Sequence, residues 1–263
     1  MTLKIVKNMP KLSIVIITFN EEKNIGRCLE SLQEIADDIV VVDSFSTDAT
    51  QNICKRYRVN FIQRKWEGYS ETKNFGNSKA KYDWILSLDA DEALSDELKQ
   101  SILKAKQGTE LVACKFNRLT NYCGTWIKHC GWYPDTKTRI FDRRTAYWHG
   151  MLHESLFFLK NKSILHLKGD CLHYSYYTKE DHYKQVDNFT TIAANSLYKQ
   201  GSRAFILKTS MSPVIKFVRD YFIKLGILDG ISGYTICKIS AYATFLKYKK
   251  LRNLNESKKQ ISI

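Results

Sequence analysis

A doubly wound α/β sheet is the fold the first hundred residues predict, and three observations predict it. Ser13-Ile-Val-Ile-Ile-Thr18 and Ile39-Val-Val-Val-Asp43 are short, continuous and β-branched, as strands buried on both faces are. The segment between them has helical spacing. A further apolar run, Trp84-Ile-Leu-Ser-Leu-Asp89, continues the alternation of strand and helix that a parallel sheet requires.

Taken in order, Ile25, Cys28, Leu29 and Leu32 recur at i, i+3, i+4 and i+7 and make one apolar helix face. After the second strand, Thr47 is placed to cap a helix with Ile53 and Tyr57 on one side. Ser95 predicts the N-cap of a helix running to Lys106, with Gly108 ending it. Leu111 to Phe116 reads as another strand of less pure composition. From Asn117 to Tyr177 no period is clear, and irregular regions of this kind often carry acceptor or substrate surfaces. Helical spacing returns over Asp181 to Lys199 through Val186, Phe189, Ala193 and Leu197, with Gly201 as the stop. Past Pro213, Val214 to Lys250 is apolar and aromatic but broken by charge, and no run reaches the roughly 18 uncharged residues of a spanning helix. The expected architecture is a mostly parallel, Rossmann-like domain over residues 1–200 and a basic amphipathic helical extension over 201–263.

Composition narrows the function classes. The chain has 263 residues, 41 Lys+Arg against 27 Asp+Glu, and a formal net charge of +14. A chain of this size buries about three-quarters of its unfolded surface and needs no disulfide or metal to fold. Hydrophobic content of 44% excludes a disordered tail, and 12 Gly with 3 Pro exclude a collagen-like fibre. Met1 to Lys11 lacks the apolar core of a signal peptide. The seven cysteines form no CxxC pair and read as reduced thiols of a cytosolic protein. Cys123, His129 and Cys130 match no common structural-zinc spacing. Residues 201–263 carry a net +9, leaving +5 for the rest, so an anionic partner is expected: a membrane leaflet or a nucleic acid. No nucleic-acid-reading motif accompanies the charge, and acidic strand ends repel phosphate, so nucleic acid is the less favoured partner.

A doubly wound sheet binds ligands beyond the carboxyl ends of its strands, and here those ends are acidic and polar. They are Thr18-Phe-Asn-Glu-Glu22, Asp43-Ser-Phe-Ser-Thr-Asp48 and Asp89-Ala-Asp-Glu92. No GxGxxG follows the first strand and no GxxxxGK[ST] occurs, so neither phosphate loop is supported. Asp89-Ala-Asp91 suits a hard divalent cation that bridges phosphate oxygens; a strand-to-helix turn with acids near a helix start is the alternative. Asp43 either accepts from a base or ribose or only orders the turn after its strand, and Asn20 and Glu21 share that ambiguity. Lys73 either neutralises phosphate or is a solvated helix lysine. His173 is a metal or diphosphate contact or a core histidine. Arg139 and Arg143 either cradle diphosphate or line an exposed face, and Trp126, Trp132 and Tyr133 either stack on sugars or are buried.

Together these pieces resemble the family 2 inverting glycosyltransferases of GT-A fold. Ser13 to Glu22 is similar to the family's opening strand and nucleotide loop, Ile39 to Thr50 to its second, and Trp84 to Glu92 to its metal-binding DxD. The resemblance implies a nucleotide-sugar donor across Thr18, Asn20, Glu21, Asp43, Ser44, Lys73, Asp89, Ala90 and Arg139. It implies Mg or Mn held by Asp91, with Asp89 and His173. A narrower resemblance, carried by Lys73-Asn74, Arg139 to Arg143, Trp148 to Glu154, Leu172 to Ser175 and Phe217 to Gly230, is to the branch that adds glucose to heptose in lipopolysaccharide inner core. It implies UDP-glucose as donor, a lipid-anchored glycan acceptor and a peripheral enzyme on the cytoplasmic face of a bacterial inner membrane. His153-Glu154 stands where the family places its general base, with Glu154 as the base. The chain lacks the Gln-x-x-Arg-Trp signature of processive synthases, which favours single-sugar transfer. The rival readings are transfer of another sugar to a lipid-linked or capsular glycan, a silent sugar-nucleotide binder, and a basic nucleic-acid-binding protein.

Overall fold

The computed structural model describes residues 9–108, 111–150, 154–160 and 163–261, with side chains as far as residue 256. The chain opens with β1 (Leu12–Thr18), α1 (Ile25–Leu32), β2 (Asp38–Asp43), α2 (Thr50–Cys54), β3 (Asn60–Gln63), α3 (Tyr69–Lys79), β4 (Trp84–Asp89), β5 (Glu92–Leu94) and α4 (Asp96–Lys106). β1 lies between β2 and β4, parallel to both, and β3 extends the parallel set beyond β2. With neighbours on both edges and helices on both faces, every residue of β1 is buried, which is why its sequence has no polar face. Ile14 and Ile16 pack with Ile25, Cys28, Leu29 and Leu32 of α1, while Val15 and Ile17 face the opposite layer with Val40 and Val42. There α3 lies directly on the sheet: a Cβ on Gly76 would sit 2.4 Å from Val15 Cγ1.

Helix starts differ from expectation at one place. Ser95 caps α4 as predicted, its Oγ accepting from the Leu98 amide. Thr47 does not cap α2, which begins at Thr50; the Thr47 amide donates instead to Asn20 Oδ1, and Asp48 takes the Thr50 amide.

The aperiodic middle is strand-rich: β6 (Ala113–Tyr122), β7 (Thr125–Ile127), β8 (Asp135–Asp142), β9 (Ala146–His149), β10 (Ser155–Phe158) and β11 (Ile164–Tyr176). The large sheet runs β3-β2-β1-β4-β8-β6-β11-β5, with β7 paired to β6. β8 is antiparallel to β4 and β6, and β11 is antiparallel to β5, so the sheet is mixed. β9 and β10 form a separate hairpin. A register shift between Cys114 and Lys115 breaks the two-residue alternation that would have announced β6.

The chain divides into two compact units, Met1–Arg118 with Asp135–Tyr174, and Leu119–Pro134 with Ser175–Ile263. The second holds α5 (Lys179–Lys199), α6 (Ile206–Val218), a π-helical turn (Arg219–Ile223), a 3₁₀ turn (Gly226–Asp229) and α7 (Gly230–Ile261). A Thr178–Asp181 capping box starts α5, and Gly201 at φ +74° follows it as predicted. Its buried stripe is His182, Val186, Thr190 and Ala194, so the face is rotated from the expected one and Phe189 is exposed. Ile236 and Cys237 of α7 share a core with Tyr122, Ile127 and Cys130. Trp132 packs beside Tyr122, Tyr176 and His182, which assigns it to aromatic packing. His129 pairs with Asp229 (2.8 Å) and Cys123 is exposed, and among the described residues no three His, Cys, Asp or Glu side chains cluster as metal ligands. No described helix is long and apolar enough to cross a membrane.

Candidate active site

The carboxyl ends of β1, β2 and β4 open onto a cleft of about 830 Å³. Thr18, Glu21, Ser44, Asp89, Asp91 and His173 line it, with Ala90 between the two aspartates. Buried apolar strands thus fix the backbone, and polar residues at or just beyond their carboxyl ends reach the rim.

The two loops on the β1 and β2 side are joined by side chains bonding to backbone. The Asn20 amide donates to Ser46 Oγ (2.8 Å), and Asn20 Oδ1 accepts from the Thr47 amide (2.8 Å). Glu21 donates its amide to Thr50 Oγ1 (2.8 Å). Asp43 is fully buried and accepts from the Ser46 amide, the Ser46 hydroxyl and Gln63 Nε2. Of the two readings of Asp43, turn ordering is the one these bonds express. Asn20 and Phe45 adopt left-handed backbone, φ +54° and +62°, and Phe45 is left exposed on the cleft.

Behind β4, charge is packed densely. Lys73 is 0% exposed, so it is not a solvated helix lysine. Its ammonium lies 3.0 Å from Asp89 Oδ1 and 2.9 Å from Glu154 Oε1, over the Trp148 ring. Arg139 donates to Asp89 Oδ2 (3.0 Å) and to Glu92 Oε1 (3.2 Å), Glu92 being buried as well. Arg139 therefore faces carboxylates, and Arg143 braces Asp83 and the carbonyls of Asn77 and Ala80. Burial alone would raise the Asp89 carboxyl, but Lys73 and Arg139 outweigh it and hold that group well below the usual carboxylate range. Burial opposes the charge on Arg139, and Glu92 and Asp89 more than restore it.

Asp91 stands apart from this cluster. Its Oδ2 lies 3.1 Å from His173 Nε2, and the Tyr174 amide donates to its carbonyl. Pairing of β5 with β11, which sets His173 opposite Glu92, brings the histidine there. Glu21 is pushed up to about 7, chiefly by burial and against its bond from Asn24, with Asp91, Asp48 and Asp89 adding to the rise. Glu154 immediately precedes β10; its neighbour His153 lies outside the described residues. Among the described residues no three His, Cys, Asp or Glu side chains enclose a metal ion. The Asp91 carboxylate suits a hard divalent cation, and the His173 imidazole beside it would suit a more borderline one.

Several cleft residues escaped the sequence reading. Phe19, Trp66 and Tyr69 are exposed aromatics on the cleft, the last two in edge contact at 4.8 Å. Trp66 and Tyr69 follow β3, a four-residue strand too short and too partly buried to have been read as one. Phe19 and Phe45 sit inside strand-end motifs whose polar neighbours drew the attention.

Comparison with known proteins identifies relatives of the chain. The profile described as Glycosyl transferase family 2 matches residues 13–203. An uncharacterised glycosyltransferase of Rickettsia prowazekii is 31% identical over 94% of this chain and 88% of its own. A lipopolysaccharide core biosynthesis glycosyltransferase of Rhizobium meliloti, LpsC, is 27% identical over 92% of this chain and 93% of its own. Among solved structures, Staphylococcus aureus TarS 1–349 in complex with UDP-GlcNAc is 18% identical, with 95% of this chain and 92% of that one covered, at a TM-score of 0.46.

Proposed function

The chain belongs to glycosyl transferase family 2, and from that premise we propose that it moves a single glucose, with inversion, from UDP-glucose to a lipid-anchored glycan of the lipopolysaccharide-core type. The observation that carries the proposal is the buried Lys73 ammonium, which joins Asp89 of the DxD to Glu154, the residue in the family's base position. The similarity to LpsC supports a lipopolysaccharide-core acceptor. An acceptor of that kind places the enzyme peripherally, at the cytoplasmic leaflet of the inner membrane.

The nucleotide would lie along the rim formed by Thr18 and Ser44. Among the described residues the buried Thr18 hydroxyl has no hydrogen-bond partner, which suits a group that receives one from a ligand. Asp91 and His173 would hold a divalent Mg or Mn, which when bound offsets the charge gathering on the departing diphosphate. Glu154 takes the acceptor hydroxyl's proton as that oxygen bonds to C1 from the face opposite the nucleotide. The C1–phosphate bond breaks, and its electrons leave with UDP. Lys73 keeps Glu154 in place, and with Arg139 it keeps Asp89 ionised at the sugar's side of the cleft.

Calorimetric titration with UDP, GDP and dTDP, with and without Mn²⁺, tests the donor site, and transfer by Glu154→Gln tests the base. The expected result is metal-dependent UDP binding, unchanged in Glu154→Gln, with transfer reduced at least about 100-fold. Full transfer by Glu154→Gln would remove Glu154 from the mechanism, and no nucleotide binding in any condition would remove the donor site.

A further inference from the structure

The six most exposed large apolar side chains among the described residues all fall between 205 and 231. They are Phe205, Ile206, Leu207, Ile223, Leu228 and Ile231, each 64–81% exposed. α6 adds to this surface: Thr209 is its only buried residue, while Met211, Val214, Ile215 and Val218 also stand exposed. Apolar exposure on this scale marks a surface that is covered in use.

The charges around it identify the cover. Residues 205–231 contain two acids, and the fold withdraws both. Asp220 is 2% exposed, bonded to Lys216 and Arg219. The Asp229 carboxylate accepts from the backbone and ring of His129. What remains in water beside the apolar side chains is cationic: Lys208, Arg219 and Lys224 are exposed. A protein partner of mixed charge would be met by mixed charge. An apolar face whose exposed charges are all positive complements the acyl boundary and anionic headgroups of a phospholipid leaflet. The element lengths agree, because α6 spans 13 residues and the π-helical and 3₁₀ turns five and four, and no described helix is long and apolar enough to cross a membrane.

We infer that residues 205–231 form an in-plane membrane anchor, inserting Phe205, Ile206, Leu207, Ile223, Leu228 and Ile231 among lipid chains while Lys208, Arg219 and Lys224 meet anionic headgroups. The inference deepens the reading of a membrane-borne acceptor and rests on it only for its purpose, since binding to vesicles needs neither nucleotide nor acceptor.

The test is flotation of the full chain with vesicles of phosphatidylethanolamine and phosphatidylglycerol, against phosphatidylcholine alone, with light scattering to follow oligomeric state. The wild-type protein is expected to float with the anionic vesicles and several-fold less with the zwitterionic ones, with 0.5 M salt (about a 4 Å Debye length) weakening but not abolishing flotation. Ile223→Glu/Ile231→Glu is expected to bind at least about tenfold more weakly while binding UDP as the wild type does. Phe205→Trp provides a reading that does not depend on a charge in the patch: its fluorescence should be quenched by brominated lipid chains beyond the quenching of the wild type. Wild-type protein that ignores anionic vesicles, equal flotation by the double variant, or an unquenched Trp at 205 overturns the anchor. A wild-type dimer that the double variant dissociates, without vesicle binding, assigns the face to a second copy instead. Vesicle binding without nucleotide binding leaves the anchor standing and removes the transferase reading.

Discussion

Lys73 is the residue on which most of the site depends. A lysine with no exposure is tolerated because two carboxylates meet its ammonium at 2.9–3.0 Å and an aromatic ring covers it. Lys73→Met keeps the bulk and deletes the charge, leaving Glu154 without its cation and Asp89 with Arg139 alone. It is expected to cost about 3 kcal/mol of stability by urea unfolding. It should lower kcat at least about 100-fold while UDP affinity changes little, the pattern of a positioning residue; unchanged kcat would deny it that role. Glu21 supplies a pH signature of opposite sense to a salt-bridged acid. Its carboxyl rises from 4.5 to about 7 on folding, so between those values the folded chain holds a proton the unfolded chain has lost. Stability from this residue therefore falls as pH rises through that window. Glu21→Gln in EDTA is expected to gain about 1–2 kcal/mol over the wild type at pH 8 and little at pH 4.5, the figure discounted for the side chain's partial exposure. A gain that does not vary with pH would show that Glu21 does not titrate there.

Elements were legible in proportion to how simply each is buried. β1, β2 and β4 have both faces covered and so read as unbroken apolar runs, and α1 has one face on them and so reads as a 3.6-residue stripe. The strands from 113 to 176 mix burial classes within single strands, and β6 carries a register shift, so their alternation is lost. In α5 the buried stripe includes His182 and Thr190, polar residues a hydrophobic count passes over, and for that reason the expected face was rotated. At the site, the acidic strand ends were readable because they follow strands; Lys73 was readable as a candidate, but its burial was not, because that depends on the close approach of α3 to β1. Gly76 permits that approach. Gly76→Ala would place a Cβ 2.4 Å from Val15 Cγ1, and the mismatch is expected to cost about 1–3 kcal/mol in urea unfolding and to lift Lys73 from Asp89. Wild-type stability and transfer in that variant would show that α3 has room to spare.

For the molecule as a whole, the charge bias pointed to an anionic partner and to residues 201–263, but not to the apolar side chains exposed there, because charge says nothing of which groups the fold conceals. The family was legible from three strand-end motifs in their order, and what sequence could not supply was the difference between residues that touch a ligand and residues that hold the loops. The bonds among Asn20, Asp43, Ser46 and Thr47 have a consequence for descent. Residues 26 and 27 positions apart in the chain satisfy one another's backbone, so neither loop can drift alone without stranding a donor or acceptor in the other. The pair is a single heritable unit written in two places: relatives should exchange both loops together or neither, and a chimera that transplants one loop should inherit a broken seam.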